Sequence, residues 1–213
     1  MALNFQSTYH FPDPNLADAE GLLAVGGDLQ PERLMTAYSM GIFPWYSKEH
    51  PILWWSPDPR MVLFPEKLKI SKSMRQLIRR KTFKVSFNQD FEQVIKNCAE
   101  IIRKGQEDTW ITAEMKKAYI RLHELGFAHS VEVWKKDKLV GGLYGVYLKN
   151  QKVFCGESMF SKESNSSKFG LIKLVEKLKQ ENIKLIDCQV YSKHLESLGA
   201  EEIPRKQFLK FLK

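Results

Sequence analysis

Cysteine is scarce in this 213-residue chain: Cys98, Cys155 and Cys188 are an odd set, without CxxC spacing. That pattern excludes a disulfide framework and a cysteine-built zinc site, and it reads as reduced, mostly buried thiols. The five histidines are scattered, so neither a metal cluster nor an activated cysteine nucleophile is expected. No run approaches the roughly 18 apolar residues that a membrane span needs. The first residues, "MALNFQSTYHFPDPN", lack the charged and apolar regions of a signal peptide. A cytoplasmic location without a membrane partner is the expectation. There is no P-loop, HExxH or GxSxG, and no internal repeat or low-complexity linker.

What is present describes a globular chain with a sizeable core: 43% of residues are apolar and 12% aromatic. A net charge of +8 favours a polyanionic partner only weakly, so its distribution matters more. The stretch "KLKISKSMRQLIRRKTFK", residues 67–84, is rich in Lys and Arg and holds no acid. A helix starting near Ser71 or Ser73 turns Met74, Leu77 and Ile78 inward and leaves Arg75, Arg79, Arg80 and Lys81 largely outward. A nucleic-acid backbone site and a plain solvated face are both open.

Residues 41–60, "GIFPWYSKEHPILWWSPDPR", hold three of the five tryptophans and four of the nine prolines. Proline excludes a helix there. Five large rings in a turn-rich stretch suggest aromatic faces presented to something flat.

The first 60 or so residues are expected to be irregular apart from one helix near "QPERLMTAYSMG", where Pro31 suits the first turn. Beyond residue 61 the periodicity is regular. "DFEQVIKNCAEIIRKG" puts Phe91, Val94, Ile95, Cys98, Ile101 and Ile102 on one helical face and should end at Gly105. A second helix runs from Thr112 to Gly126. Three strands follow, "AHSVEVWK", "KLVGGLYGVYL" and "KVFCGESMF", joined by turns at Lys136-Asp137 and Asn150. After them come a helix over 168–180, a buried strand "IKLIDCQ" and short helices through "KHLESLG" and "RKQFLKFL". The predicted fold is α+β: a mixed-sheet, acyl-CoA N-acyltransferase-like (GNAT-like) catalytic domain over 61–213, behind a small irregular α/β domain over 1–60.

Two strands carry polar residues that burial does not require. Glu157 interrupts "VFCGESMF" beside Gly156, which permits a bulge or a close backbone approach. Asp187 and Gln189 in "LIDCQV" are two apart and share a face. They form either an internal hydrogen-bonded pair or part of a site. Acyl-CoA users need a glycine-rich run of backbone N–H groups at a helix N-terminus for the pyrophosphate; "SNSSKFGLI" has a single glycine. An acyl group used without CoA or ATP must arrive activated, so no cofactor is expected.

The motifs "GLLAVGGDL", "GIFPWYS", "PILWWSPDPR", "TWIT", "AYIRLHELGFAHSVEVW", "LVGGLYGV", "FCGESMFS", "LIDCQ" and "SLGAEEIPR" together resemble the leucyl/phenylalanyl-tRNA–protein transferases, in order, from about residue 9 to 209. The resemblance implies transfer of Leu or Phe, less well Met, from aminoacyl-tRNA to proteins beginning with Arg or Lys, which marks them for N-end-rule degradation. It implies that Trp45 and Trp110, with Tyr38 and Tyr119 nearby, hold the terminal adenosine; Trp54 and Trp55 are expected instead at the seam between the two domains. It implies an acyl pocket of Leu143, Phe154, Leu174, Leu178 and Ile186. Asp187 and Gln189 are the implied catalytic pair, with Asp187 fixing the Gln189 amide; Glu157 and Ser192 would contact the acceptor. Arg75, Arg79, Arg80 and Lys81 are the expected tRNA-backbone contacts, and a monomer without metal is expected. The rival readings are a tRNA-dependent aminoacyltransferase acting on cell-wall peptide or lipid, and a non-catalytic RNA-binding module.

Overall fold

The computed structural model describes residues 9–101 and 110–213. In chain order the elements are β1 (Leu22–Val25), α1 (Pro31–Ser39), β2 (Phe43–Pro44), β3 (Leu53–Trp55), β4 (Arg60–Leu63), α2 (Lys72–Arg79), β5 (Lys84–Phe87), α3 (Phe91–Glu100) and α4 (Ala113–Glu124). There follow β6 (Ala128–Lys135), β7 (Lys138–Leu148), β8 (Val153–Ser161), α5 (Ser166–Gln180), β9 (Leu185–Gln189), α6 (Lys193–Glu196), β10 (Glu201–Ile203) and α7 (Arg205–Phe208). The N-terminal stretch is more regular than its prolines and turn signals suggest. Strands β1, β3 and β2 form a three-stranded antiparallel sheet, and "LWW" is its central strand.

The main sheet has seven strands in the order β10-β4-β9-β8-β7-β6-β5. Only β8 and β9 run parallel, joined by the α5 crossover; every other pair is antiparallel. The sheet is therefore mixed and the fold α+β. Three strands of this sheet, β4, β5 and β10, do not stand out in the sequence. Each is only three or four residues long and lacks enough alternation to stand out.

Local signals set most helix ends. Ser71 and Thr112 cap α2 and α4 by accepting from the amides of Met74 and Met115. Helix α3 stops at Glu100 because Ile101 takes extended backbone; the expected stop at Gly105, like Ile102, lies outside the described residues. Lys136 and Asp137 both adopt positive φ, as a two-residue hairpin turn needs. Helix α5 begins at Ser166, two residues ahead of the predicted start.

The alternation along β7 builds a core on each face of the sheet. Tyr144, Val146 and Leu148 pack with α1, α3 and α4. Leu143 and Tyr147 pack with Leu171, Leu174, Val175 and Leu178 of α5 on the other. Helix α2 lies on the α5 side, seating Met74 against Phe83, Phe169 and Ile172.

Candidate active site

Two bulges create the site. Pairing of β7 with β8 passes from Tyr144–Ser158 to Gly145–Gly156, leaving Glu157 as the extra residue. Pairing of β4 with β9 passes from Val62–Asp187 to Met61–Gln189, leaving Cys188 extra. A bulge bends its strand and re-aims a side chain. The parallel ladder between β8 and β9 ends at Cys155–Asp187, short of the ends of both strands, and a cavity of about 360 Å³ opens just beyond. That is large enough for a ligand of modest size.

One compartment of the cavity is apolar, lined by Leu143, Phe154, Met159, Leu171, Leu174 and Ile186. Phe43, Trp45, Trp110, Ser192, His194 and Leu195 also line the cavity, with Leu195 packed against the same apolar cluster. Glu157 and Gln189 provide polar groups. Leu178, expected in the acyl pocket, is absent from these walls. It borders a separate cavity of about 200 Å³ behind Phe154 and Leu174, one helical turn beyond Leu174 on α5.

The polar groups form a connected chain. Tyr119 Oη donates to Glu157 Oε2 at 2.9 Å, and Gln189 Nε2 donates to Glu157 Oε1 at 2.9 Å. Tyr38 and Tyr119 share a short hydrogen bond between their hydroxyls. Burial pushes the Glu157 carboxyl up to about 7, even though hydrogen bonds from the tyrosines and Gln189 oppose the shift, and the nearby Asp187 charge adds to it. Burial and Glu157 together push both phenols well above their ordinary range, so they remain neutral donors. Neither tyrosine ring can stack on a nucleoside: Tyr38 and Tyr119 are 1% and 0% exposed. Their place is beneath the cavity, and what they offer is the hydroxyl.

Asp187 and Gln189 do meet, but through the backbone. Gln189 takes φ of 65°, and its main-chain N–H donates to Asp187 Oδ1 at 3.0 Å. Glu157, not Asp187, fixes the Gln189 side-chain amide. Sequence reasoning missed the reason: the Asp187 carboxylate is already clamped. Arg60 Nε and Nη2 donate to its two oxygens at 2.8 and 2.7 Å, and both residues are 1% exposed. The third guanidinium nitrogen donates to the Gly41 carbonyl at 3.1 Å, while the rings of Phe43 and Phe208 flank the guanidinium at 4.8 and 4.6 Å. The only signal for Arg60 was a cation at the head of the apolar run "MVLF".

Gly41 itself must be glycine. Its φ is 78°, and a Cβ there would come within 2.7 Å of Leu209 and 3.0 Å of Phe208. The clamp thus ties the end of β9 to the loop that leads into Trp45.

Of the rings in the aromatic stretch, Trp45 is the exposed one at 39%, while Phe43, Tyr46 and Trp54 are buried. Trp55 braces Trp45, donating Nε1–H to its carbonyl at 2.6 Å with ring centroids 5.9 Å apart. Trp54 donates to the Gly26 carbonyl and meets Phe11 edge-on. Few rings are presented; most hold the presented ones in place. Ser192 borders the cavity, and its hydroxyl is not spent on capping α6. Arg75, Arg79, Arg80 and Lys81 are exposed on and just after α2, and none forms an ion pair among the described residues. Burial near Asp187 raises the Cys155 and Cys188 thiols, as suits inert cysteines. Cys188 nevertheless borders the cavity.

Apolar walls beside aromatic faces and a hydrogen-bonded polar chain make this cavity the candidate site for a group-transfer enzyme. The sequence profile of the leucyl/phenylalanyl-tRNA protein transferases matches residues 62–213, and that of their N-terminal domain matches residues 27–58. This chain belongs to that family. A leucyl/phenylalanyl-tRNA–protein transferase of Christiangramia forsetii is 64% identical over 202 residues, covering 95% of both chains. That of Flavobacterium johnsoniae is 59% identical over 203 residues, again covering 95% of both. That of Anaeromyxobacter dehalogenans is 56% identical over 199 residues, 93% of this chain and 84% of the other. Among solved structures, L-PGS from Bacillus licheniformis superposes with a TM-score of 0.42 at 10% identity, covering 79% of this chain and 55% of that one. So distant a likeness carries no argument. Among the described residues, no helix is long and apolar enough to cross a membrane.

Proposed function

We propose that this protein transfers leucine or phenylalanine from aminoacyl-tRNA to the N-terminal Arg or Lys of an acceptor protein, acting as a cytoplasmic monomer that marks its targets for degradation. The observation that carries the reading is family membership across both matched segments, 27–58 and 62–213. The shape of the cavity supports it. The apolar compartment suits a Leu or Phe side chain, and Trp45 with Trp110 offers ring faces for the terminal adenosine, each stack worth roughly 1–3 kcal/mol without reading sequence.

We read the large unit, from about residue 61, as GNAT-like, with the splayed parallel pair opening the acyl site. At the start of α5, where CoA users bind pyrophosphate, the hydroxyl of buried Ser166 lies 2.9 Å from the Val140 carbonyl and 2.9 Å from Ser161 Oγ. This packing supports an acyl donor other than CoA.

In this reading the tRNA ester is already activated, and the nucleophile is a peptide α-amino group with an ordinary pKa near ~7.7–8.0. A useful neutral fraction exists without a strong base. The Glu157 carboxylate holds the Gln189 NH₂, which leaves the Gln189 amide oxygen for the attacking amine. That oxygen accepts a hydrogen bond from the attacking amine and orients its lone pair on the ester carbon. The new C–N bond forms as the carbonyl becomes tetrahedral, the amine sheds its proton, and the ribose oxygen leaves with one. Asp187, clamped by Arg60, sets the backbone at Gln189 and does not touch the reacting atoms. Glu157 keeps lone pairs for the cationic side chain of the acceptor, and Ser192 offers a hydroxyl beside it.

The test is incubation with labelled Phe-tRNA and a protein beginning with Arg. Label stable to hot acid is expected in the protein, and far less when the acceptor begins with Ala. Label confined to a lipid or a cell-wall peptide would replace the acceptor class, and no transfer to any acceptor would leave an RNA-binding module.

A further inference from the structure

Helix α6 brings His194 to the wall of the cavity. Its Nε2 is buried and has no hydrogen-bond partner among the described residues. A buried polar atom left unsatisfied is costly; Nε2 is closed to water as the ring stands, and a turn of the imidazole toward the cavity that His194 lines lets a ligand satisfy it. Its surroundings indicate which ligand. Leu195 is its chain neighbour, and Lys168, one turn before Leu171 on α5, is close enough to act on its charge. Leu195 packs against the apolar cluster that holds Leu171 and Leu174 of α5, which puts His194 beside that wall, while Glu157 and Gln189 form the polar group from β8 and β9.

We propose that His194 Nε2 accepts a hydrogen bond from the α-amino group of the aminoacyl ester, so that the site reads a free amine on the donor substrate. This inference rests on the transferase reading above. The reaction brings two α-amino groups into one cavity, and only the acceptor's must reach the ester carbon. An amino acid whose side chain lies among Leu171, Leu174 and Ile186 carries its own amine at the edge of that compartment. Holding that amine at His194 leaves Gln189 and Glu157 to the acceptor. Burial, with Lys168 nearby, keeps the imidazole below the ordinary histidine range. A neutral ring has one nitrogen able to accept.

The test is calorimetric binding of amide-linked phenylalanyl-adenosine, which cannot react, against its des-amino analogue, 3-phenylpropionyl-adenosine in the same linkage. The wild-type chain should bind the amine-bearing compound about tenfold or more tightly, as a hydrogen bond involving a charged group allows. His194→Ala should bind the two equally, and His194→Gln, which keeps an acceptor oxygen, should regain part of the preference. Unchanged melting temperatures would show that both variants fold; if Ala does not, His194→Asn takes its place. A wild-type protein indifferent to the amine, or a preference that survives in His194→Ala, overturns the proposal. So does a rise in KM for Arg-starting peptide with the nucleoside preference intact, which would give His194 to the acceptor amine instead. Binding needs no turnover, so absent transfer activity would count against the enzymatic reading while these arms still decide the role of His194.

Discussion

Replacing Arg60 by Ala should be among the most damaging single changes in this protein, and the structure allows the effect to be sized. Arg60 and Asp187 are each 1% exposed and joined by two hydrogen bonds of 2.8 and 2.7 Å. Without the guanidinium, Asp187 keeps the Gln189 N–H and the Cys155 thiol, both uncharged donors, and no cation. Stranding one charge of a buried pair costs about 3–5 kcal/mol. For a chain of this size each kcal/mol lowers Tm by about 2–4 °C, so a drop on the order of 6–20 °C is expected. Guanidinium unfolding followed by far-UV circular dichroism would measure it. The double variant Arg60→Met with Asp187→Leu removes both charges and should recover most of the stability, because no stranded ion remains. It should nonetheless stay poor in transfer, since the Gln189 backbone has lost its acceptor. A single variant that loses less than about 1 kcal/mol would refute the clamp. A double variant no more stable than the singles would do the same.

Glu157→Gln should remove a pH dependence. The folded-state carboxyl is raised from 4.5 to about 7, so the folded chain holds that proton more tightly than the unfolded one. The contribution of this group is present below pH 4.5 and lost as pH rises through 7. Glu157→Gln should therefore be more stable relative to wild type at about pH 8 than at about pH 5, and superimposable stability–pH curves would count against the shift. The same variant should raise KM for Arg- or Lys-starting peptides about tenfold, roughly 1.4 kcal/mol, with little change for Phe-tRNA. Replacing Arg75, Arg79, Arg80 and Lys81 together by Ala should flatten the log–log salt dependence of tRNA binding by roughly 0.7–0.9 for each phosphate these side chains neutralise; an unchanged slope would leave α2 a solvated face. Trp45→Ala should weaken binding of a phenylalanyl-adenosine analogue by roughly 1–3 kcal/mol while sparing stability, because the ring is half-exposed. Equal affinity would remove Trp45 from the adenosine site.

The sequence by itself determined much of the secondary structure and the cast of the site. Helices α1, α2, α4 and α5 and strands β6–β9 follow from caps, turn residues and periodicity, which act over a few residues and are visible locally. Glu157 in an apolar strand and the Asp187/Gln189 pair stood out because burial gives a polar side chain no reason to be there. Tertiary structure decided how those residues are connected. Two bulges, each set by register against a neighbouring strand, turn Glu157 and Gln189 toward one another, and a register is a property of two strands rather than one. Arg60 lies 127 positions from Asp187 in the chain, so no spacing rule could pair them. Tyr38 and Tyr119, expected near the adenosine, are buried by packing that leaves only their hydroxyls to act. Leu178, with the same chemistry as Leu174 and on the same face of α5, falls outside the cavity because one further turn carries it past the cavity wall. Local sequence specifies local conformation and chemical type; which groups share a site depends on interactions that form only when distant segments pack.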